Sequence, residues 1–214
     1  MSRCVVFGGG IVSEDDYIRR LLRPGDIIAC ADGGYSHARR LGVHPHILAG
    51  DFDSYLEEKP EGCRIVSADT HKDDTDTLLC VKLGLAEGCR EFVLLGMTGG
   101  RLDHTLANLQ TLRFLAEKGV KAAALDASAE MYVVKDGALT VGKRAGYSLS
   151  VFSLDAVSQG VTLENVAYPL KDYEMSASFP IGVSNAFLEG DARISVAQGC
   201  LAVLVCRLDE EGKR

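Results

Sequence analysis

The sequence lacks any apolar run that approaches the roughly 20 residues a membrane-spanning helix needs. Its N-terminus has no basic region followed by an apolar core, as a secretory signal would have. The 7 cysteines are scattered, with no CxxC or Cys/His spacing that would build a zinc site. Several of them, among them Cys4, Cys30 and Cys80, lie in apolar runs, and buried free thiols are typical of a reducing compartment. We therefore expect a cytoplasmic protein that has no membrane partner.

Basic residues are also scarce, since 23 Lys and Arg face 30 Asp and Glu and leave a net charge of -7. Nucleic-acid-binding proteins usually present a basic stripe to the phosphates, so we expect no nucleic-acid partner. Two phosphate-binding motifs are missing as well: Gly8-Gly9-Gly10 belongs neither to a Walker A sequence nor to a GxGxxG fingerprint. This glycine run is either a tight turn or a place where a ligand approaches the backbone. Any phosphate that the protein handles is therefore expected to be held by metal.

The pattern of apolar runs changes once along the 214 residues, which are enough for one large domain or two small ones. Over residues 1–127, strand-like runs alternate with helical patterns, which predicts an α/β domain with a mainly parallel, Rossmann-like sheet. Over residues 128–214, short β-rich runs separated by glycine or polar turns predict an all-β antiparallel sandwich. Within the first domain, Ser13 is predicted to cap a helix, and Leu106 and Leu112 are predicted to share the apolar face of a later one.

An acidic turn, GDFDS at 50–54, follows the apolar run at 47–49 and is therefore predicted to lie at the carboxyl end of a strand. Its carboxylates Asp51 and Asp53, one residue apart, can share a hard cation such as Mg²⁺; a solvated turn is the alternative. Two further polar turns, at 72–76 and 99–104, also follow strand-like segments or open helix-like ones. Because ligands collect at the carboxyl ends of strands in an open α/β sheet, the three turns together predict one site.

Residues 72–76 and 99–104 supply the remaining charged groups of this predicted site. Asp76 is the third proposed metal ligand, with Asp73 behind it or on a second metal; helix N-terminal capping is the alternative for Asp76. Lys72 and Arg101 are the natural phosphate partners, because the planar fork of an arginine can grip two oxygens. Pairing with Asp103 is the alternative for Arg101.

Two neighbouring residues and one earlier turn complete the set. Asp103 and His104 open a predicted helix beside Arg101, and a local hydrogen bond is one interpretation of His104. Asp32, with Gly33 and Gly34, follows a second strand-like run, where glycines allow close approach to the backbone.

Five motifs together carry a resemblance: ADGG at 31–34, GDFDS at 50–54, KDDTD at 72–76, GGRLDH at 99–104 and Val183-Ser184-Asn185. In their order and spacing the chain resembles the bacterial thiamine pyrophosphokinases, and the resemblance spans both predicted domains. One departure is Ala186, where many relatives carry an acidic residue.

This resemblance implies a Mg²⁺-dependent transfer of a pyrophosphoryl group from ATP to the hydroxyl of thiamine, giving thiamine diphosphate and AMP. It implies that residues 1–127 form the catalytic, nucleotide- and metal-binding domain and that residues 128–214 bind thiamine and form a homodimer with composite sites. Ser184 and Asn185 would meet the thiamine pyrimidine, although a β-turn is the alternative for this pair. The implied catalytic residues are Asp51, Asp53, Asp76, Arg101 and Asp103. The implied nucleotide contacts are Asp32, Gly33, Gly34, Lys72, Asp73, Thr75, Arg101 and His104.

Two other functions compete with this one. In a phosphatase of the haloacid dehalogenase type, Asp51 would be the nucleophile and Asp53 the acid/base of a DxD motif. Such a motif normally follows the first strand, whereas here it follows the third predicted one. A non-enzymatic sensor of nucleotide or thiamine on the same fold is the second alternative, since a fold does not fix a function.

Overall fold

The computed structural model describes residues 2–50, 60–67 and 74–208, and the chain divides into two compact units, residues 1–127 and 128–214. No helix among the described residues is long and apolar enough to cross a membrane. The first unit alternates strands and helices as follows: β1 Arg3–Phe7, α1 Asp15–Leu21, β2 Ile27–Ala31, α2 Gly34–Leu41, β3 Ile47–Gly50, β4 Arg64–Ser67, α3 Asp76–Ala86, β5 Glu91–Leu95, α4 Leu102–Glu117 and β6 Lys121–Leu125.

The strands of the first unit pair in the order β6-β5-β1-β2-β3-β4, and each neighbouring pair is parallel. β1 is buried at all five positions; its apolar run over residues 4–7 predicts this for a central parallel strand, and the buried Arg3 precedes that run. The prediction of an α/β unit is confirmed. Because the chain runs outward from β1 to β4 and then returns to β5 beside β1, the strand order reverses at β1. Crevices that bind ligands form at such reversals in open α/β sheets.

A close approach of two backbones fixes where α2 begins. A Cβ atom on Gly34 would lie 2.0 Å from the carbonyl oxygen of Phe7, so only glycine lets α2 start against the end of β1. On one face of the sheet, Phe7 and Leu48 align with Cys30 between them, and all three are fully buried. The turns that follow β1 and β2 are therefore held in contact with each other.

The prediction that Ser13 caps a helix is wrong. α1 begins after Glu14, which has a positive φ of 58° and makes no side-chain capping hydrogen bond. The hydroxyl of Ser13 instead donates to the carboxylate of Asp126, 3.3 Å away and 113 positions along the chain. A tertiary partner thus replaced the local one that the spacing suggested.

The predicted apolar face of α4 is only partly correct. Leu112 and Leu115 are buried, but Leu106 is 55% exposed, as is its neighbour Leu102 at 79%. The first two turns of α4 border an open cleft at the sheet edge, whereas the later turns pack on the sheet beside β6. The helical periodicity is therefore correct for the later turns, whereas the first turns leave their leucine side chains exposed.

The second unit contains only strands among its described residues, and they pair antiparallel in two sheets. These strands are β7 Ala129–Lys135, β8 Ala138–Val141, β9 Tyr147–Ser153, β10 Val157–Glu164, β11 Leu170–Ser176, β12 Asn185–Ala186, β13 Ala192–Ser195 and β14 Cys200–Arg207. One sheet has the order β12-β9-β14-β7 and the other β11-β10-β13-β8. One apolar cluster takes residues from both, such as Val203 and Ile194. The prediction of an all-β antiparallel unit is confirmed.

Candidate active site

A cleft of about 630 Å³ opens at the carboxyl ends of β1, β2 and β5, where the strand order reverses. Its walls are the glycine-rich turns after these strands and the first turns of α3 and α4. Six residues predicted from the sequence line it: Asp32, Gly33, Thr75, Asp76, Arg101 and His104. The structure therefore brings together residues that are up to 72 positions apart, from Asp32 to His104.

The turns after β1 and β5 are joined through their backbones. The amide of Gly8 donates to Leu95 at 2.8 Å, and the amide of Gly10 donates to Gly96 at 2.9 Å. A Cβ atom on Gly10 would lie 2.5 Å from the carbonyl oxygens of both Gly96 and Thr98. Gly8-Gly9-Gly10 is thus a tight turn, and since Gly9 and Gly10 also line the cleft, it presents bare backbone to any ligand there.

Asp32 follows β2 with a positive φ of 43°, and its amide donates to the carbonyl of Ala49 at 2.8 Å. A Cβ on Gly50, the residue before Asp51, would lie 3.1 Å from the Cα of Asp32, so the ends of β2 and β3 adjoin. The half-buried carboxylate of Asp32 makes no hydrogen bond or ion pair within residues 2–50, 60–67 and 74–208. It is therefore available to a ligand in the cleft.

The start of α3 assigns the capping role to Thr75. Its hydroxyl oxygen accepts a hydrogen bond from the amide of Leu78 at 3.2 Å, as an N-cap side chain does. The alternative interpretation, in which Asp76 caps the helix, is therefore wrong: Asp76 lies in the first turn, half-buried, against the cleft. One turn later, burial raises the pKa of the Cys80 thiol. α3 packs against β2 and β3.

Arg101 and Asp103 form a forked ion pair at the start of α4. The guanidinium donates from Nε to Oδ1 at 3.1 Å and from Nη2 to Oδ2 at 2.5 Å. These hydrogen bonds raise the pKa of Arg101 and lower the pKa of Asp103, and the amide of His104 also donates to Asp103 at 3.0 Å. Both side chains are largely exposed, Arg101 at 74%. The structure thus contains the alternative in which Arg101 pairs with Asp103. This pair lies on a solvent-facing surface, where an ion pair is weak and another anion can replace the carboxylate.

Three residues of this region were missed by the sequence analysis. Asn108 is 8% exposed and donates from its amide to the carbonyl of Met97 at 3.0 Å, tying α4 to the turn after β5. His37 holds the carbonyl of Gly10 at 2.8 Å through Nε2. Asp74 lines the cleft beside Thr75. The one signal available was that Asn108 is a polar residue inside an otherwise apolar helix face.

Four predicted residues, Asp51, Asp53, Lys72 and Asp73, lie outside the described residues. Among the described ones, no group of three His, Cys, Asp or Glu side chains forms a metal site. The cleft does contain carboxylates from Asp32 and Asp76, and oxygen donors of this kind suit a hard cation such as Mg²⁺. The donor chemistry fits the predicted ion, and the ligand set stays a prediction.

Ser184 and Asn185 lie in the second unit, and Asn185 is only 4% exposed. The Asn185 amide group donates to the carbonyl of Tyr168 at 2.8 Å and accepts from the amides of Tyr168 and Ala186 at 2.9 and 3.0 Å. Ser184 is exposed, has a φ of 57°, and donates its backbone amide to the hydroxyl of Ser150 at 3.0 Å. Asn185 thus organises the backbone that carries the exposed ring of Tyr168, and contact of either residue with thiamine stays a prediction.

Comparison with known proteins matches both units. The sequence model of the thiamin pyrophosphokinase catalytic domain matches residues 18–124, and that of the thiamin pyrophosphokinase vitamin B1 binding domain matches residues 138–201. The thiamine pyrophosphokinase of Bacillus subtilis (strain 168) is 26% identical over 171 residues, which cover 76% of this chain and 79% of that protein.

Solved structures share the fold over almost the full chain. The crystal structure of thiamine pyrophosphokinase from Bacillus subtilis has a TM-score of 0.86 at 22% identity, covering 97% of this chain and 99% of that one. That of thiamin pyrophosphokinase from Geobacillus thermodenitrificans has a TM-score of 0.85 at 24% identity, covering 99% and 100%. Since the catalytic-domain match alone spans half of the sequence and the vitamin B1 match follows it in the second unit, the chain belongs to the thiamin pyrophosphokinase family.

Proposed function

We propose that this chain transfers the pyrophosphoryl group of ATP, with Mg²⁺, to the hydroxyl of thiamine, giving thiamine diphosphate and AMP. The observation that carries the proposal is the cleft at the reversal of strand order, lined by glycine backbone and by carboxylates. We interpret the parallel strands as a Rossmann-like nucleotide-binding sheet. Membership of the family supports thiamine diphosphate as the product.

In the proposed reaction the hydroxyl oxygen of thiamine attacks the β-phosphorus of ATP. A new oxygen–phosphorus bond forms there, and the bond from the β-phosphorus to the oxygen that bridges to the α-phosphorus breaks. AMP leaves with that electron pair, and the hydroxyl proton passes to solvent or to a cleft carboxylate. Such transfers depend on positioning and on stabilisation of phosphate charge rather than on covalent chemistry by the protein.

The proposed metal ligands are Asp51, Asp53 and Asp76, with Asp73 as an additional group. Asp76 supports this set because it lines the cleft, and α3 packs against β3, the strand that precedes Asp51. The chemistry that bound Mg²⁺ would supply is neutralisation of the triphosphate charge. A chain with a net charge of -7 has little basic surface to do this otherwise.

The proposed nucleotide contacts are the backbone of the glycine turns, the carboxylate of Asp32, and the guanidinium of Arg101. Arg101 is exposed and already arranged to grip two oxygens, so phosphate oxygens can replace those of Asp103. Asp103 then holds the guanidinium in a binding geometry before the nucleotide arrives. Further contacts are proposed for the remaining members of the implied set: Gly33, Gly34, Lys72, Asp73, Thr75 and His104.

Thiamine is proposed to bind at the second unit, where Ser184 and Asn185 fall within the range matched by the vitamin B1 binding domain, residues 138–201. This unit exposes large apolar side chains that a partner subunit would cover: Tyr168, Phe179, Ile181, Val183 and Leu188. The first unit likewise exposes Leu102 and Leu106 beside its cleft. We propose a homodimer in which one chain's cleft and the other chain's second unit form each site.

The free cysteines support a cytoplasmic location for this reaction. All seven cysteines are unpaired, and Cys4, Cys30 and Cys80 are fully buried. Buried thiols that stay reduced are typical of proteins in a reducing compartment. We therefore propose that the enzyme draws on cytoplasmic ATP and thiamine.

Incubation with ATP, Mg²⁺ and thiamine, followed by separation of the nucleotides, tests the reaction. We expect AMP and thiamine diphosphate in a one-to-one ratio. Formation of ADP with thiamine monophosphate would rule out pyrophosphoryl transfer. Release of phosphate without a requirement for thiamine would favour the phosphatase interpretation instead.

Subunit complementation tests the composite site. An inactive Asp51→Asn chain and an inactive Ser184→Arg chain are unfolded and refolded together; Ser184 is preferred because Asn185 is buried and its replacement would disturb folding. Random pairing makes half of the dimers hybrids with one intact site each, so about a quarter of full activity should return. If hybrid dimers form and remain inactive, each site is built within one chain.

A further inference from the structure

Lys82, on α3, forms an ion pair with Asp74, a cleft residue that has no role in the proposed reaction. Its Nζ donates to both carboxylate oxygens of Asp74, at 2.6 and 2.7 Å. The side chain of Asp74 is 12% exposed and lines the cleft, whereas that of Lys82 is 45% exposed. Within the part of the chain that the structure describes, neither side chain makes another hydrogen bond or ion pair. The two groups therefore satisfy each other.

The position of Asp74 makes this pairing consequential. It directly precedes the Thr75 cap and lies two residues before Asp76, on the same cleft wall. An unpaired carboxylate here would repel the phosphates of a nucleotide and would offer Mg²⁺ a competing oxygen ligand. With both oxygens held by an ammonium group, Asp74 contributes no net charge and has its lone pairs directed toward α3.

We propose that Lys82 is a positioning residue that neutralises Asp74 and holds it away from the metal and the phosphates. The inference rests on the proposed function, because it assigns a purpose to the pair only if the cleft receives a metal-bound triphosphate. It also explains how a motif with three carboxylates in five positions, KDDTD, can serve a polyanionic substrate: Lys82 of the following helix neutralises one of its acids.

The test compares Lys82→Met with the double variant Asp74→Asn/Lys82→Met. Binding of the Mg²⁺ complex of α,β-methylene-ATP, which cannot be cleaved at the α–β bridge, is measured by calorimetry, and KM and kcat are measured separately. An uncompensated unit charge close to the phosphates in a partly solvated site should weaken binding about threefold to tenfold in Lys82→Met. The double variant removes the charge and should recover to within about twofold of the wild-type affinity.

Further variants separate charge from packing. Lys82→Arg keeps the positive charge and should rescue binding relative to Lys82→Met, and Lys82→Gln should resemble Lys82→Met. The matched control is Arg64→Met, which breaks the exposed 3.2 Å pair with Glu87 at the other end of α3 and should leave nucleotide affinity unchanged. Thermal unfolding of every variant reports any loss of folded protein.

Each result decides the matter. Unchanged affinity in both Lys82→Met and Lys82→Gln would overturn the inference while leaving the proposed function intact. Equal weakness of the single and double variants would also overturn it, because Lys82 would then act on the nucleotide or on folding rather than through Asp74. If the wild-type protein itself fails to bind the Mg²⁺-nucleotide, the proposed function fails, and the inference fails with it.

Discussion

Replacing Asn108 with leucine should loosen the turn that carries Arg101 while leaving the sheet assembled. The Asn108 amide is the side-chain link between α4 and the carbonyl of Met97, at 3.0 Å, and both residues are buried. Leucine has nearly the same size, so the change removes a hydrogen bond rather than volume. The carbonyl of Met97 would lose this partner in a place that water reaches poorly.

The expected cost follows from this burial. Leaving a buried acceptor without its partner costs about 1–3 kcal/mol of unfolding free energy. For a chain of this size each kcal/mol shifts the melting temperature by about 2–4 °C. A displacement of about 1 Å in catalytic groups can lower a rate about 100-fold. We therefore expect a large decrease in kcat together with a modest decrease in melting temperature.

Melting curves and steady-state kinetics on the same preparation test this reasoning. The matched control is Thr111→Val, one turn along α4, where the buried hydroxyl donates to the carbonyl of Ala107 in its own helix. That variant should lose less than about 1 kcal/mol and keep its kcat. If Asn108→Leu matches the control in both measurements, the amide does not hold the turn. A lower melting temperature with unchanged kcat would show that it holds the helix and not the turn.

Three further predictions concern other parts of the first unit. Asp26→Asn should cost about 3–5 kcal/mol, because it removes the close charge partner of the buried Arg3 guanidinium, now bonded at 2.8 and 2.6 Å, and leaves Arg3 with the more distant Glu91 at 3.9 Å. Burial alone would raise the pKa of Asp26, but the hydrogen bond from Arg3 lowers it. The difference in unfolding free energy between wild type and Asp26→Asn should therefore be constant above a pH of about 4 and shrink below it. Urea unfolding across pH measures this difference. Gly10→Ala should cost about 1–3 kcal/mol because its Cβ would lie 2.5 Å from two carbonyl oxygens, whereas Gly9→Ala, with 3.9 Å of room, should melt near wild type; equal melting temperatures would contradict the clash. Asp51→Asn should lower kcat at least ~100-fold in a folded protein, and near-normal turnover would remove Asp51 from the metal site.

The sequence alone was sufficient to predict the α/β class of the first unit and the antiparallel β class of the second. Apolar runs such as Val5–Phe7 form strands that must be buried, and a helix between successive strands allows those strands to pair in parallel. Once the strands are parallel, residues that follow them, such as Asp32 and Gly10, meet at one edge. These conclusions depend on local pattern, which the sequence contains in full.

Only the tertiary structure decided which polar partner each side chain takes. Ser13 found Asp126 rather than its own helix, Thr75 took the cap that Asp76 was a candidate for, and Asn185 turned inward to Tyr168. Each choice depends on which elements become neighbours after the sheet has assembled. An apolar side chain can be buried against many different neighbours, so its periodicity predicts burial without naming a partner. A hydrogen bond of about 3 Å requires one donor and one acceptor in line, and which two groups meet depends on the assembled sheet.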